Sequence, residues 1–271
     1  MGLWDRIASA CGLTMPKAQG AAGMRAYAVG DIHGRLDLLE ELLDQIEADL
    51  RSSSARRNFI VFLGDFIDRG PESRGVIERL RSYDPRNAEP VFLAGNHEEF
   101  FLRVLQGEKS ILDNWLKYGG LECVESYGLD ATRLIAMEEE AALRALREAV
   151  PQAHVEFLRK LSDTFRFGDY LFVHAGIRPG VPLEAQDPRD LRWIREPFLE
   201  DRIDHGFIVV HGHTVVDEVA ERPNRIGIDT GAYRTGRLTA AIIEGDKRRF
   251  ISTMGPAVGQ TSTDRQRAFA Q

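Results

Sequence analysis

Three short blocks carry the residue types that bind cations and move protons: Gly30-Asp31-Ile32-His33-Gly34, Gly64-Asp65-Phe66-Ile67-Asp68-Arg69-Gly70 and Gly95-Asn96-His97-Glu98. Two later segments add imidazoles, His174 after Leu171-Phe172-Val173 and His213 after the apolar run 207–210. Asp31, His33, Asp65, Asn96, His174 and His213 offer carboxylate and amide oxygens with imidazole nitrogens and no thiolate. That mixture suits borderline divalent ions such as Mn, Fe or Zn, rather than a calcium cage or a zinc finger. Six donors are too many for one four-coordinate ion. They suit two ions sharing a bridging carboxylate, roughly 3.5–4 Å apart, which together lower the pKa of a bound water and neutralise a phosphoryl group. His97 follows a proposed ligand and could act as general acid, with Asp68 as its orienting carboxylate. Arg69 beside it could clamp phosphate oxygens bidentately. Taken singly these residues are ordinary, since a Gly-Asp pair is usually a turn and a lone His at a strand end usually structural. Their joint occurrence is what points to one site.

The elements that must position them follow from the apolar runs. Tyr27-Ala28-Val29 leads into the first block, Phe59 to Leu63 into the second, and Val91 to Ala94 into the third. Open α/β folds place their chemistry at such carboxyl edges. Strands at 25–29, 59–63 and 90–94 alternate with helices at about 35–50 and 71–81 and one beginning near His97. The first helix has Leu36, Leu39, Leu42, Leu43 and Ile46 as its apolar face. This order predicts parallel strands with crossover helices. If the chain stays extended past the first strand, Asp31 and His33 point to one side. Residues 98–163 read as a helical insertion that could cap the site or simply pack; 130–149 is its clearest helix, ended by Pro151, and no ligand cluster lies in it.

The second half turns to β structure. Segments 164–167 and 170–174 flank Gly168-Asp169 as a hairpin. Further strands are expected at 206–210, 225–229, 238–243 and 248–252, without helices between them. They predict a second sheet packed on the first, an α/β (α+β) β-sandwich with helices outside.

Composition bounds the function classes. The chain has 271 residues, a net charge of −7 and a pI near 5.6, which argues against a nucleic-acid partner. Cys11 and Cys123 are its two cysteines and no Cys-x-x-Cys pair occurs, so a reducing cytoplasm is expected rather than a disulfide framework. No apolar run approaches the roughly 18 residues of a membrane helix. Leu3, Trp4, Ile7, Ala8 and Cys11 share one helical face, predicting a short amphipathic helix that docks on its own domain, on a membrane surface or on a partner. Asp5 and Arg6 exclude a signal peptide. Residues 14–23 read as a linker. The expected division is an extension over 1–24, one domain over 25–254 and a loose tail over 255–271.

From about residue 25 to 245 the chain resembles the phosphoprotein phosphatase family of calcineurin-like metallophosphoesterases, in particular its bacterial serine/threonine branch. The resemblance rests on the three blocks above, then His174-Ala175-Gly176 and Gly212-His213-Thr214. It implies that Asp31, His33 and Asp65 hold one metal ion and Asp65, Asn96, His174 and His213 the other, with Mn preferred. It implies His97 as proton donor, Asp68 as its partner, and Arg69 and Asn96 on the phosphate. Trp193-Ile194-Arg195 matches a family Trp-x-Arg segment, making Arg195 a second phosphate clamp, with Arg192 as the fallback. Val215 stands where the wider superfamily often has a second histidine ligand, so His211 is expected behind the ligands rather than among them. The segment Gly227 to Tyr233 resembles the bacterial Asp-Thr-Gly strand, which puts Asp229 in the same supporting position. The implied activity is hydrolysis of phosphomonoesters on phosphoproteins or phosphorylated small molecules. Bis(nucleosyl) tetraphosphate hydrolysis is the nearest alternative, and a silent metal-binding scaffold is another.

Overall fold

The computed structural model describes residues 17–108 and 110–255. The expected N-terminal helix, Cys11 and nearly all of the tail lie outside the described residues. The first half contains β1 (Met24–Val29), α1 (Leu36–Leu50), β2 (Arg57–Phe62), α2 (Ser73–Arg81), β3 (Glu89–Phe92) and α3 (Asn96–Gln106). The insertion follows as α4 (Leu112–Trp115), a π turn (Leu116–Gly120), α5 (Leu121–Ser126), α6 (Ala131–Ile135), α7 (Glu139–Ala149) and α8 (Gln152–Leu158). The long helix expected over 130–149 is therefore two helices. Asp130 caps the first of them by accepting the Arg133 N–H. The second half supplies β4 (Thr164–Phe167), β5 (Tyr170–Val173), α9 (Pro188–Trp193), β6 (Ile208–His211), β7 (Ala220–Glu221), β8 (Arg225–Gly227), α10 (Ala232–Thr235), β9 (Thr239–Glu244) and β10 (Lys247–Ser252).

Among the described residues two five-stranded sheets result, in the orders β10-β9-β1-β2-β3 and β4-β5-β6-β8-β7. β1, β2 and β3 are parallel as expected, and so are β5, β6 and β8. The last two strands depart from the sequence reading. They return to the first sheet, β9 running antiparallel to β1 with Tyr27 opposite Ile242. The physical reason is burial on both faces: Ala240 and Ile242 join the core under the helices, while Ala241 and Ile243 join the core between the sheets. Such a strand belongs inside a sheet, and its alternation does not say which one. α9 and α10 also interrupt a region read as strands alone.

The alternation along β1 and β2 explains how the sheets stack. Tyr27, Val29, Ile60 and Phe62 face the helices, whereas Ala26, Ala28, Phe59, Val61 and Leu63 meet Phe172, Val210 and Ile226 of the second sheet. Strands buried on both sides read as continuous apolar runs, and each run ends where the polar blocks begin. The carboxyl ends of β1, β2, β3, β5, β6 and β8 thus deliver Asp31, Asp65, Asn96, His174, His213 and Asp229 to one edge. Among the described residues no helix is long and apolar enough to cross a membrane.

Candidate metal centre

The turns after the strands are tight and left-handed. Among the described residues six non-glycine residues have positive φ: His33 (48°), Asp65 (51°), Asp68 (72°), Arg69 (68°), His213 (62°) and Ser110 (65°). All but Ser110 belong to the blocks above. Such conformations cost on the order of 1–3 kcal/mol each and persist only where surrounding bonds over-determine them. Here the bonds are specific. The Asp65 carbonyl accepts both Ile32 N (3.1 Å) and His33 N (2.9 Å). Ser73 Oγ accepts Asp68 N (2.9 Å), and Asp31 Oδ2 accepts His213 N (3.0 Å). Gly34 (φ 63°) lies against Gly70, where an added Cβ would stand 2.5 Å from the Gly70 carbonyl oxygen. The first two blocks therefore touch backbone to backbone. The extended-chain argument that paired Asp31 with His33 does not hold, because the chain turns at His33; the two are brought to the site by that turn.

Five of the six proposed ligands converge around Asp65. Ligand atoms of Asp65, His174 and His213 lie within 4.8 Å of one another, as do those of His33, Asp65 and His97. Asn96 Oδ1 is 3.0 Å from His174 Nε2 and 2.9 Å from His213 Nδ1. Asp65 Oδ1 is 3.4 Å from His174 Nε2, and Asp65 Oδ2 is 3.6 Å from His33 Nε2. Asp31, the sixth, is buried beside them, with Oδ1 lacking a hydrogen-bond partner among the described residues.

The proton inventory shows what fits between these atoms. His174 Nδ1 is 2.9 Å from the Leu63 carbonyl and His33 Nδ1 is 2.9 Å from that of Ile67. A carbonyl only accepts, so each Nδ1 carries the ring proton and each Nε2 presents a lone pair. Those lone pairs face carboxylate and amide oxygens, acceptor against acceptor. Burial pushes both histidines down; it also takes His213 down to about 3, helped by His174, so protonation does not relieve the contact. Divalent cations would relieve it, and carbonyl-anchored imidazoles are how metal-binding histidines are oriented. The carboxylates tell the same story. Burial, then Asp229 and Asp65, push Asp31 well up, and burial, then Asp65, lift Asp229 to about 6. Burial also opposes charge on Asp65, but the surrounding imidazoles, His174 first, outweigh it and hold the carboxyl below its usual range. The donor set fits divalent cations, with Asp65 common to both groups of converging ligand atoms.

His97 is set apart from the other imidazoles. Its Nδ1 is 2.6 Å from Asp68 Oδ2, and its Nε2 is 3.2 Å from Arg69 Nη2 and 3.9 Å from Asp65 Oδ2. Burial works against its charge, yet Asp65 and then Asp68 outweigh burial and raise it above the ordinary imidazole value. Arg69 can only donate, so Nε2 accepts in this contact, and Arg69 opposes the imidazolium less strongly than Asp65 and Asp68 favour it. Arg69 lies over the Tyr233 ring at 4.7 Å, and Tyr233 also meets His33 edge-on.

Arg195 is exposed and its charge is felt at His213. It lines a cavity of about 760 Å³ with Arg178, Arg189 and Trp193. Arg192 is committed elsewhere, to Asp163 (2.6 Å) and Glu99 (3.2 Å). His211 stays out of the cluster: its Nδ1 meets the Gly212 carbonyl at 3.0 Å and its ring abuts Phe198. Asp229 is buried near Asp31, with Oδ1 accepting Gly231 N.

Two supporting residues escaped the sequence reading. Glu98 accepts the N–H groups of Asp65 (2.8 Å), Phe66 (2.7 Å) and Gly95 (2.9 Å), locking the second block to the third. Its capping-box spacing, three residues after Gly95, was the available signal. Trp115 donates to Asp68 Oδ2 at 3.0 Å from the insertion, 47 residues away, where no local pattern announces it.

A family model described as calcineurin-like phosphoesterase matches residues 24–238. The chain belongs to this family. It is accordingly a hydrolase of phosphoesters, and the family uses two metal ions. The chain is 30% identical to serine/threonine-protein phosphatase 1 of Salmonella typhimurium, over 80% of this chain and 91% of that protein. It is 24% identical to an asymmetrical bis(5'-nucleosyl)-tetraphosphatase of Oceanobacillus iheyensis, over 89% of this chain and 97% of that one. A crystal structure of a candidate diadenosine tetraphosphatase superposes with a TM-score of 0.60 at 22% identity, covering 88% of this chain and 96% of that one. That likeness establishes the two-sheet fold with flanking helices.

Proposed function

We propose that this member of the family is a binuclear-metal phosphomonoesterase acting on phosphoserine and phosphothreonine proteins. Asp31, His33 and Asp65 hold one cation in this reading, and Asp65, Asn96, His174 and His213 the other, with Mn first and Fe or Zn as alternatives. When bound, the cations supply an activated water and offset phosphoryl charge. Arg69, Arg195 and Asn96 orient the phosphoryl oxygens, and His97 gives its Nε2 proton to the departing alkoxide while Asp68 holds Nδ1. The observation that carries the proposal is the buried His97–Asp68 pair at 2.6 Å beside Arg69 and Asp65. Alkoxides are poor leaving groups and need that proton. The Salmonella relative supports the protein substrate. A bacterial, cytoplasmic setting belongs to the same reading, supported by the scarcity of cysteine and the bacterial relatives.

A second reading, dinucleoside tetraphosphate hydrolysis, is favoured by the Oceanobacillus relative and by the arginine-lined cavity beside Trp193. Initial rates on a phosphothreonine peptide and on diadenosine tetraphosphate, with Mn-reconstituted protein, decide between them. The proposal expects higher kcat/KM on the peptide. The reverse order would transfer the assignment to the nucleotide, and metal-replete protein inert even on p-nitrophenyl phosphate would leave a scaffold.

A further inference from the structure

The proton donor's partner and the phosphate clamp sit on two consecutive left-handed residues, Asp68 (φ 72°) and Arg69 (φ 68°). Left-handed L-residues occur as singletons, because each costs roughly 1–2 kcal/mol. A pair of them needs restraint from outside the loop. One restraint comes from α2, where Ser73 Oγ accepts Asp68 N. The others come from the helical insertion. Trp115 Nε1 donates to Asp68 Oδ2 at 3.0 Å, and the Gly119 carbonyl accepts Arg69 N at 2.9 Å.

The geometry of this segment is specialised. Trp115 is fully buried and stacks on Phe101 at 5.2 Å, a residue of the helix that begins with Asn96-His97. The π turn behind it places Gly119 at φ 111°, where an added Cβ would stand 2.6 Å from Arg69 Cγ and 2.8 Å from Arg69 N. Only glycine lets that carbonyl reach the Arg69 amide. Single π turns inside helices are frequent at functional sites. Trp115 also donates to the same oxygen, Oδ2, that lies 2.6 Å from His97 Nδ1. Two donors on one carboxylate oxygen fix its rotation. That aims His97 Nε2 at the space beside Asp65 and Arg69.

We infer that Trp115 and the π turn Leu116–Gly120 are a positioning clamp. Trp115 sets His97 through Asp68, and Gly119 sets Arg69, so the insertion completes the acid rather than merely covering it. The inference rests on the reading of His97 as proton donor. A structural role alone would affect all substrates alike, whereas a role through the acid depends on how much the leaving group needs a proton.

The test uses the full chain, metal-reconstituted, with two substrates: a phosphoserine peptide, whose alkoxide needs the proton, and p-nitrophenyl phosphate, whose phenolate barely does. Trp115→Phe keeps the ring stack and removes the N–H. Incorporation of 3-benzothienylalanine at 115 keeps the indole outline without a donor, and serves if the phenylalanine variant folds poorly. Either should lower kcat about tenfold on the peptide and no more than about twofold on p-nitrophenyl phosphate, with metal content unchanged. His97→Asn is the reference and should show the same selectivity more strongly. Equal losses on both substrates in the Trp115 variants, or none, with His97→Asn still selective, would overturn the clamp alone. A His97→Asn variant without selectivity would remove the proton-donor reading and the clamp together.

Discussion

Asp229→Asn should stabilise the metal-free protein and lose that advantage when metal is present. Asp229 is 1% exposed, its Oδ2 has no hydrogen-bond partner among the described residues, and it shares a buried edge with Asp31 and Asp65. Burial, then Asp65, lift its pKa from 3.8 to about 6. For an acid the sign follows directly. The folded state holds the proton more tightly than the unfolded state, so stability falls as pH rises from about 4 to 6 and stays low above that. Roughly two units at 1.36 kcal/mol each give about 3 kcal/mol. Asparagine carries no charge at any pH, and its Oδ1 can still accept Gly231 N. In chelator at pH 7.5 the variant should therefore unfold about 6–12 °C higher than the parent, at the 2–4 °C per kcal/mol expected for a domain of this size. At pH 4 the two should coincide. With Mn the difference should shrink or reverse, because bound cations stabilise the ionised cluster. Thermal unfolding at both pH values, with EDTA and with Mn, reads all of this. A chelated variant no more stable than the parent at pH 7.5 would refute the claim that these carboxylates repel one another until cations enter.

Two further outcomes follow from the site. Because Asp65 and Asp68 raise His97, its acid form persists above the ordinary 6.5, so the basic limb of kcat on a phosphoserine peptide should lie above that value. The limb should move to lower pH in Asp68→Asn and vanish in His97→Asn; an unmoved limb would assign it to another group. Arg195→Ala should raise KM roughly tenfold with little change in melting temperature, while Arg192→Ala should chiefly destabilise, since it strands Asp163 and Glu99. Interchanged effects would make Arg192 the clamp.

The strand ends were legible because strands buried on both faces are continuous apolar runs, and each run stops at a Gly-Asp, Gly-Asn or His. Sheet membership was not. β9 alternates identically in either sheet, and only tertiary packing places it beside β1. Spacing also misled at one point. Asp31 and His33 are two apart, which puts side chains on one face only in an extended chain. His33 has positive φ, so the parity breaks. Glu98 and Trp115 act across 33 and 47 residues, through bonds that no local period encodes.

Metal stoichiometry, measured by mass spectrometry of the elements on Mn-reconstituted, desalted protein, bears most directly on the shared-cation centre. The parent should carry two ions per chain, His174→Ala about one, and Asp65→Asn close to none. Two ions retained by Asp65→Asn, or fewer than two in a fully active parent, would contradict it.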